Sequence, residues 1–422
     1  MINNFIIILA VAIACVTLSG FVNAATPIVL NTLGGPDPIG HTALQNQKFE
    51  QLTGIKVNVT TVPYSEQRTK LLVSFISGGS AYDMFIIDCI EIPEYAEAGW
   101  AYPIDKYVTP EMKKDLFPFA AEGVTYKGHW YSLPFASEWK SFVYNEAKLK
   151  AAGIKTPPKT WNELITQSQL LQKKGLVKYG MAFSFFQGEC LVCDYVAIAG
   201  TFGAKFFDEK QNPVFNSGGG VEALQFMVDA IHKYKVVNPG SLNSIELDVD
   251  NAMLAGDIAF CLRWGLPLVA MNDSRISKVA GQCKIGLVPS IKGLPTATVS
   301  GPMGWAISTG SKNKEAAIKY IFYRSDHVGA KRDAIEAGIV PGWASLYKDK
   351  EMLKAIPGIE TMLEQGKYVI NRPQVPWYNE FSTMFQVELQ NALTLRKTPQ
   401  QALNDAAQKA RAIKAKYEKQ KR

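Results

Sequence analysis

Residues 28–88 switch twice between strand and helix, and this alternation constrains the fold more than any other feature of the chain. Ile28 to Leu33 is a short apolar run ending in Gly34-Gly35-Pro36, and Thr42 to Leu52 then carries helical spacing until Gly54 stops it. Ile55 to Val62 alternates with β-branched residues. Ser65 is placed to cap a helix whose apolar face includes Leu71, Leu72, Phe75 and Ile76 and which ends at Gly78-Gly79. Met84 to Ile87 reads as the next buried strand. Right-handed crossovers turn such a β-α-β-α-β succession into a doubly wound parallel sheet, with ligands gathering at the carboxyl ends of its strands. Two places fall there, the Gly34-Gly35 turn and Asp88.

A second unit follows. Ser141 to Tyr144 is strand-like, Thr160-Trp161-Asn162-Glu163 is a capping box opening a helix that closes at Gly175, and Val221 to Ile231 is amphipathic. Asp250 is expected to cap a short helix ended by Gly256, with Ile258 to Cys261 forming a buried strand that leads into Arg263-Trp264-Gly265. Gly304 to Ile307 is another strand candidate. Thr398-Pro399-Gln400-Gln401 opens a terminal helix carrying the stripe Leu403, Ala406, Ala407, Ala410 and Ile413. There is no repeat and no Gly/Ser tether, so strand-like crossings must join the units.

The chain has 422 residues, 47% of them hydrophobic, which is more than one core usually serves. Residues 1–24 hold an uncharged apolar run from Phe5 to Val22 that ends in Val22-Asn23-Ala24, and they read as an export signal, although no Lys or Arg precedes the run. Cys15 is a poor lipid anchor, because too short an apolar segment precedes it. A mature, periplasmic chain is expected from about Ala25. The net charge of +7 is concentrated at the end: Arg396 to Arg422 carry nine Lys or Arg against Asp405 and Glu418. A nucleic-acid surface would interleave its charge with the fold, so this stretch reads as the solvated face of the terminal helix, with no nucleic-acid partner.

Five cysteines remain beyond the signal: Cys89, Cys190, Cys193, Cys261 and Cys283. An odd number leaves at least one thiol unpaired within the chain. Cys190-Leu-Val-Cys193 has a redox spacing, but Glu189 and Asp194 flank it with negative charge, which raises a thiol pKa. No second Cys or His pair completes a zinc site. Nucleophile elbows, phosphate loops, dinucleotide turns and metalloprotease helices are absent, and His41, His129, His232 and His327 read as loop or surface residues. The alternation of Glu246, Asp248 and Asp250 reads as capping and solvation in preference to a cation site. A pair of glycosidase carboxylates is the enzymatic alternative, since it is defined in space and not in sequence.

The chain does supply aromatics at predicted element ends, Trp100, Trp139, Trp264, Trp305, Trp343 and Trp377 among them. Their flat faces suit sugar rings, while Asp, Glu, Asn, Gln and Arg can bridge neighbouring hydroxyls. At this point the sequence closely resembles the family 1 extracellular solute-binding proteins, carbohydrate receptors of ABC importers with maltose- and trehalose-binding members. The resemblance rests on Gln47 to Val57, Pro63-Tyr64, Tyr82 to Asp88, Ala98-Gly99-Trp100, Val143-Tyr144-Asn145, Pro158 to Glu163, Ala252 to Gly256 and Gly304 to Ser308, in that order.

The resemblance implies a type II periplasmic binding protein fold, with two α/β lobes around a cleft, doubly wound sheets in each lobe, and crossing strands near Pro134 to Tyr144, near Pro289 to Gly304 and after Pro341. Lobe 1 then comprises residues 25–134 plus 299–345, and lobe 2 residues 135–298 plus 346–422. By the same analogy the ligand lies between Gly35, Tyr64 and Asp88 of one lobe and Glu138, Trp264 and Arg372 of the other, with Trp305 near a crossing. The implied function is capture of a sugar or sugar alcohol, or alternatively glycerol phosphate or another small polar solute, by a monomer that delivers it to ABC permease subunits. Such a receptor needs neither catalyst nor cofactor.

Overall fold

A computed structural model of the chain describes residues 28–37, 39–78 and 81–421. The predicted signal of residues 1–24, with Cys15, lies outside the described residues. Strands β1 (Val29–Gly34), β2 (Lys56–Thr61) and β3 (Met84–Asp88) form the expected parallel succession, in the order β2-β1-β3. Helices His41–Thr53 and Tyr64–Ile76 connect them. Gly54 ends the first at φ 71°, the left-handed conformation that glycine adopts most cheaply. The second begins one residue before the expected cap: Pro63 is the N-cap and Ser65 lies within the first turn. A proline preset near helical φ starts a helix without any side-chain cap.

The chain leaves this sheet along β4 (Ser132–Trp139), passes Lys140 and enters a second sheet as β5 (Ser141–Asn145), flanked there by β6 (Phe260–Arg263) and β7 (Cys283–Gly286). It returns along β8 (Thr298–Ile307), which pairs with β3, with β4 and, at its start, with β9 (Val369–Ile370). The parallel sense read for residues 28–88 does not extend to the whole of either sheet. β8 runs antiparallel to β3 and β4, and β5 runs antiparallel to both β6 and β7. Strands made by local crossovers end at the boundary between the sheets, whereas a strand entering either sheet from the other begins there, so the two kinds must run oppositely.

The buried side chains form three clusters. One gathers Leu30, Leu33, Met84 to Ile87, Trp305 and Tyr320 around the first sheet. Another packs Trp161, the helix Glu189–Thr201, Phe385 and the stripe Leu403 to Ile413. The third joins Phe117, Phe119 and Ala334 to Met253, Leu268 and Ile359, drawing on stretches expected in different lobes. Both predicted threonine capping boxes, at Thr160 and Thr398, are formed. Asp250, expected as a cap, instead lies inside the helix Glu246–Ala255 and accepts a hydrogen bond from Arg263 Nε at 2.7 Å, while Asp248 receives the backbone N–H of Ile245. His41 is likewise no surface residue: it is buried 3.1 Å from Asp333, which also pairs with Arg324.

The basic terminal helix Pro399–Gln420 buries its predicted stripe and pairs several lysines: Lys409 with Glu388, Lys416 with Glu380 and Lys421 with Glu97. Cys89, Cys190, Cys193, Cys261 and Cys283 are all buried free thiols. Among the described residues no helix is long and apolar enough to cross a membrane.

Candidate solute-binding cleft

Because the strand ends of both sheets meet at one boundary, polar residues just past them are brought face to face. Asp88 closes β3 and is 5% exposed. Its Oδ1 accepts from Arg372 Nη2 at 2.7 Å and its Oδ2 from the Tyr64 hydroxyl at 2.8 Å. Arg372, two residues past β9 and 2% exposed, donates from Nη1 to Glu189 Oε1 at 2.9 Å. Glu189 opens the helix Glu189–Thr201 and also accepts from the hydroxyls of Tyr378, at 2.6 Å, and Ser382. One guanidinium is thus held between carboxylates carried by different sheets and helices.

Burial works against ionising Asp88, but Arg372 and the Tyr64 hydroxyl outweigh it and hold the carboxyl below its usual range. Tyr64 is almost half exposed, yet its hydroxyl points inward, and burial together with Asp88 pushes its pKa well up. Burial opposes the charge of Arg372 as well, and Asp88 reverses the balance.

Trp264 and Glu138 approach from β6 and β4. Glu138 is paired with Gly301 of β8, and a Cβ on Gly301 would lie 3.2 Å from Trp264 Cη2 and 3.5 Å from Arg372 Nη2. A residue without a side chain is what lets the indole and the guanidinium converge. The indole donates weakly to Glu246 at 3.4 Å, and Lys140 Nζ stands 5.4 Å from its ring centre. Burial, aided by Asp250 and opposed by Arg263, pushes Glu138 up to about 7. Gly35 ends the β1 turn beside Gln67, whose Nε2 would lie 3.3 Å from a Cβ there.

Of the seven predicted residues, Tyr64, Asp88 and Arg372 are joined by hydrogen bonds, with Trp264 packed near Arg372 over Gly301. Glu138 and Gly35 flank this group. Trp305 is the exception. Its indole is 2% exposed, packed by Phe135 and Tyr320 in the first core, so its place beside glycine reflects close packing and not access to the cleft. Trp139 and Trp343 are buried in the same way, whereas Trp100 keeps a partly exposed ring.

Sequence reasoning missed Glu91, Glu189, Tyr378 and Ser382. Glu91 shares the cavity at Asp88 and is pushed up to about 8 by burial and by Asp88. Glu189 was legible only as a charge beside Cys190, and burial above all, then Glu246, lifts that thiol to about 12. A signal did exist for the last two: Tyr378, Ser382 and Gln386 recur every four residues along the helix Tyr378–Leu393, which puts them on one face, and Ser382 and Gln386 line the cavity at Asp88. The cavity that Glu91, Glu189, Ser382 and Gln386 enclose with Asp88 and Met303 measures about 150 Å³. A larger hollow of about 720 Å³, between Trp161 and Phe226, contains none of them.

Comparison with known proteins agrees with this architecture. The family model described as bacterial extracellular solute-binding protein matches residues 41–323. A probable amino-acid ABC transporter periplasmic-binding protein of Sinorhizobium fredii is 26% identical over 372 residues, covering 86% of this chain and 84% of the relative. The mannitol-binding protein of Pseudomonas aeruginosa is 25% identical over 371 residues, 85% of this chain and 83% of its own. The maltose-bound structure of T. maritima MalE3 superposes with a TM-score of 0.85 at 25% identity, over 92% of this chain and all of that one. The two α/β bodies and the cleft between them are those of a two-lobed periplasmic binding protein, and the chain belongs to the bacterial extracellular solute-binding protein family.

Proposed function

We propose that this protein is the substrate-binding component of an ABC importer, exported by residues 1–24, and that it captures an uncharged sugar or polyol between its lobes. The carrying observation is the cluster at the cleft in which Arg372 is bonded to both Asp88 and Glu189, with Tyr64 and Trp264 beside it. An anion such as glycerol phosphate would need a free cation, and Arg372 already faces two carboxylates. A zwitterion would need opposite charges held apart, and here they are bonded to each other. Vicinal hydroxyls can join this network by donating to the carboxylates and accepting from the guanidinium, while an indole covers the apolar face of the ring. The relatives named for mannitol and maltose bind solutes of this class; the relative named for amino acids is the contrary case.

On this reading residues 25–134 plus 299–345 make up most of one lobe, and residues 135–298 plus 346–422 most of the other, with the crossing at Lys140 acting as a hinge. The ligand favours the closed form because only there do groups from both lobes reach it. Closed lobes are then presented to the permease subunits. Turnover is not part of this reading: the carboxylate of Asp88 is tied by Arg372 and Tyr64 and is not free to attack a sugar.

A thermal-shift screen of the mature protein against sugars, polyols, glycerol phosphates and amino acids tests the substrate class, since a bound ligand raises the melting temperature by mass action. A rise with at least one sugar or polyol is expected. A rise confined to phosphates or amino acids overturns the class, and new reducing ends appearing in an incubated oligosaccharide overturn the receptor reading.

A further inference from the structure

Several of the cations crowded between Arg396 and Arg422 answer carboxylates on their own side of the boundary: Lys397 pairs with Glu388 and Asp405, Lys409 with Glu388, and Lys416 with Glu380. Lys421 answers a carboxylate on the other side. Its Nζ donates to Glu97, the last residue of the helix Ile92–Glu97 that follows β3. Glu97 is already held from its own side, by the Tyr126 hydroxyl at 2.7 Å and by Lys127 Nζ at 2.6 Å, both from the hairpin formed by Thr125–Tyr126 and His129–Trp130. Burial opposes its charge, yet Lys127, Lys421 and Tyr126 outweigh burial and hold the carboxyl down to about 2, so the acceptor is charged at any ordinary pH.

The same short helix takes a second bond across the boundary. Asn379 Nδ2 donates to Glu94 at 3.0 Å, and Arg68 Nη2 fixes that carboxylate by donating to both of its oxygens, at 2.7 and 2.9 Å. Tyr417, one turn before Lys421, stands in this seam with its hydroxyl buried and its ring centre 5.1 Å from Lys421 Nζ. Neither Glu97 nor Lys421 lines the cavity at Asp88. A pair that crosses outside the solute site is made only when the lobes close, so it stabilises the closed form whatever the cavity holds. Apparent affinity then includes it, because the dissociation constant observed is the intrinsic one divided by the fraction of protein able to close. Exposure bounds the effect. The Glu97 side chain is 17% exposed, but that of Lys421 is 42% and that of Lys127 65%, and pairs this open to water are worth a factor of about two to five.

We propose that Lys421, at the tip of the terminal helix, is a latch on the closed lobes: by pairing with Glu97 across the cleft it sets the affinity for the solute without touching it. The proposal rests on the receptor reading and lobe division above.

Isothermal titration with maltose, mannitol, ribitol, glycerol 3-phosphate and glutamate, at about 20 mM and about 500 mM salt, tests it. Lys421→Met should weaken binding of any of these probes about twofold to fivefold at the lower salt, and by the same factor whatever its chemistry. For an uncharged probe the wild type should lose most of that factor at the higher salt, and Lys421→Met should respond less. Lys421→Arg, which keeps the cation, should behave as the wild type. Glu97→Gln should show the same loss as Lys421→Met, with no further loss in the double variant. The urea midpoint of ligand-free Lys421→Met should hardly move, since Lys421 is exposed at the end of its helix, and this separates a latch from a structural staple. Unchanged affinity in Lys421→Met, or an equal response to salt in that variant and the wild type, overturns the latch. If only the phosphate or the amino acid binds, the solute class falls and the latch is still decided, because the ratio of wild-type to variant affinity does not depend on what the cavity holds.

Discussion

Two buried ion clusters flank the crossing between the sheets, and they differ in what they join. Lys140 and Asp194 pair at 2.6 Å with side chains 1% and 2% exposed, and Ser184 donates to the same carboxylate from its N–H and its hydroxyl, each at 2.8 Å. Arg372 and Asp88 pair at 2.7 Å with side chains 3% and 6% exposed. Burial is nearly equal. Lys140, however, leads into β5 and Asp194 lies on the helix packed in the second core, so that cluster sits on one side of the boundary. Asp88 ends a strand of the first sheet, while Glu189 belongs to the helix of the second core. On the proposed lobe division, which sets Arg372 opposite Asp88, a rigid-body separation of the lobes would undo the Asp88–Arg372 pair and hydrate its charges, whereas the Lys140–Asp194 pair breaks only if the second lobe unfolds. Equal burial therefore predicts unequal consequences.

The largest effect should follow from breaking the internal pair. Lys140→Met leaves Asp194 charged, buried and without its cation, and removal of one partner from a buried pair costs about 3–5 kcal/mol. Urea unfolding should show this loss, and Lys140→Met combined with Asp194→Leu should recover much of it, because the second change removes the orphaned charge. Arg372→Met should act chiefly on binding. Ligand affinity should fall by about 10–100-fold, in keeping with roughly 1.5–3 kcal/mol for hydrogen bonds to a charged group, with a smaller loss of stability than Lys140→Met shows. Equal stability losses for the two variants would mean that the cleft cluster is a structural staple, and the contrast would collapse.

The sequence carried one half of this contrast better than the other. Asp88 was legible because a continuous apolar strand must end somewhere, and a lone carboxylate after Ile86-Ile87 marks that place. The parallel run β1 to β3, the stop at Gly54 and the two threonine capping boxes were legible for the same local reasons. Lys140, Asp194 and Glu189 were not, since what matters about them is which strand passes which helix, and nothing local encodes it. The antiparallel sense of β5 and β8 was hidden likewise, being a consequence of chain return. Trp305 misled because a glycine beside a tryptophan at a strand marks close packing as readily as an open site.

Titration sharpens the comparison from the cleft side. Glu91 lies in the cavity with Asp88, faced also by Arg68 and Glu94, and its pKa is raised to about 8. A raised carboxyl favours the protonated form in the fold, so its contribution is fully present below the ordinary value near 4.5 and is lost as pH rises through about 8. Asp88 has the opposite sign: its pKa is lowered, so its contribution is present above the ordinary carboxylate range and lost as pH falls through the depressed value. Glu91→Gln should therefore raise the melting temperature at about pH 8.5 and leave it nearly unchanged at about pH 4. The rise should stay below the Arg372→Met loss, because Glu91 is only partly buried and water screens it. An unchanged profile in the variant would show that another group, such as Glu138, carries the dependence.

The smallest effect belongs to a pair that joins the last two helices without burial. Lys416 and Glu380 stand 3.0 Å apart with side chains 60% and 52% exposed. Exposed pairs contribute about 0.2–1 kcal/mol, because water and salt screen the attraction while two long side chains lose freedom to maintain it. Lys416→Ala should move the unfolding free energy by no more than about 0.5 kcal/mol, and added salt should erase even that. With a distance close to those of the two buried clusters, this pair separates the remaining variables. If Lys416→Ala destabilised the protein as much as Arg372→Met, proximity alone would account for the effects, and the distinction between a pair within one lobe and a pair across two would have no energetic content.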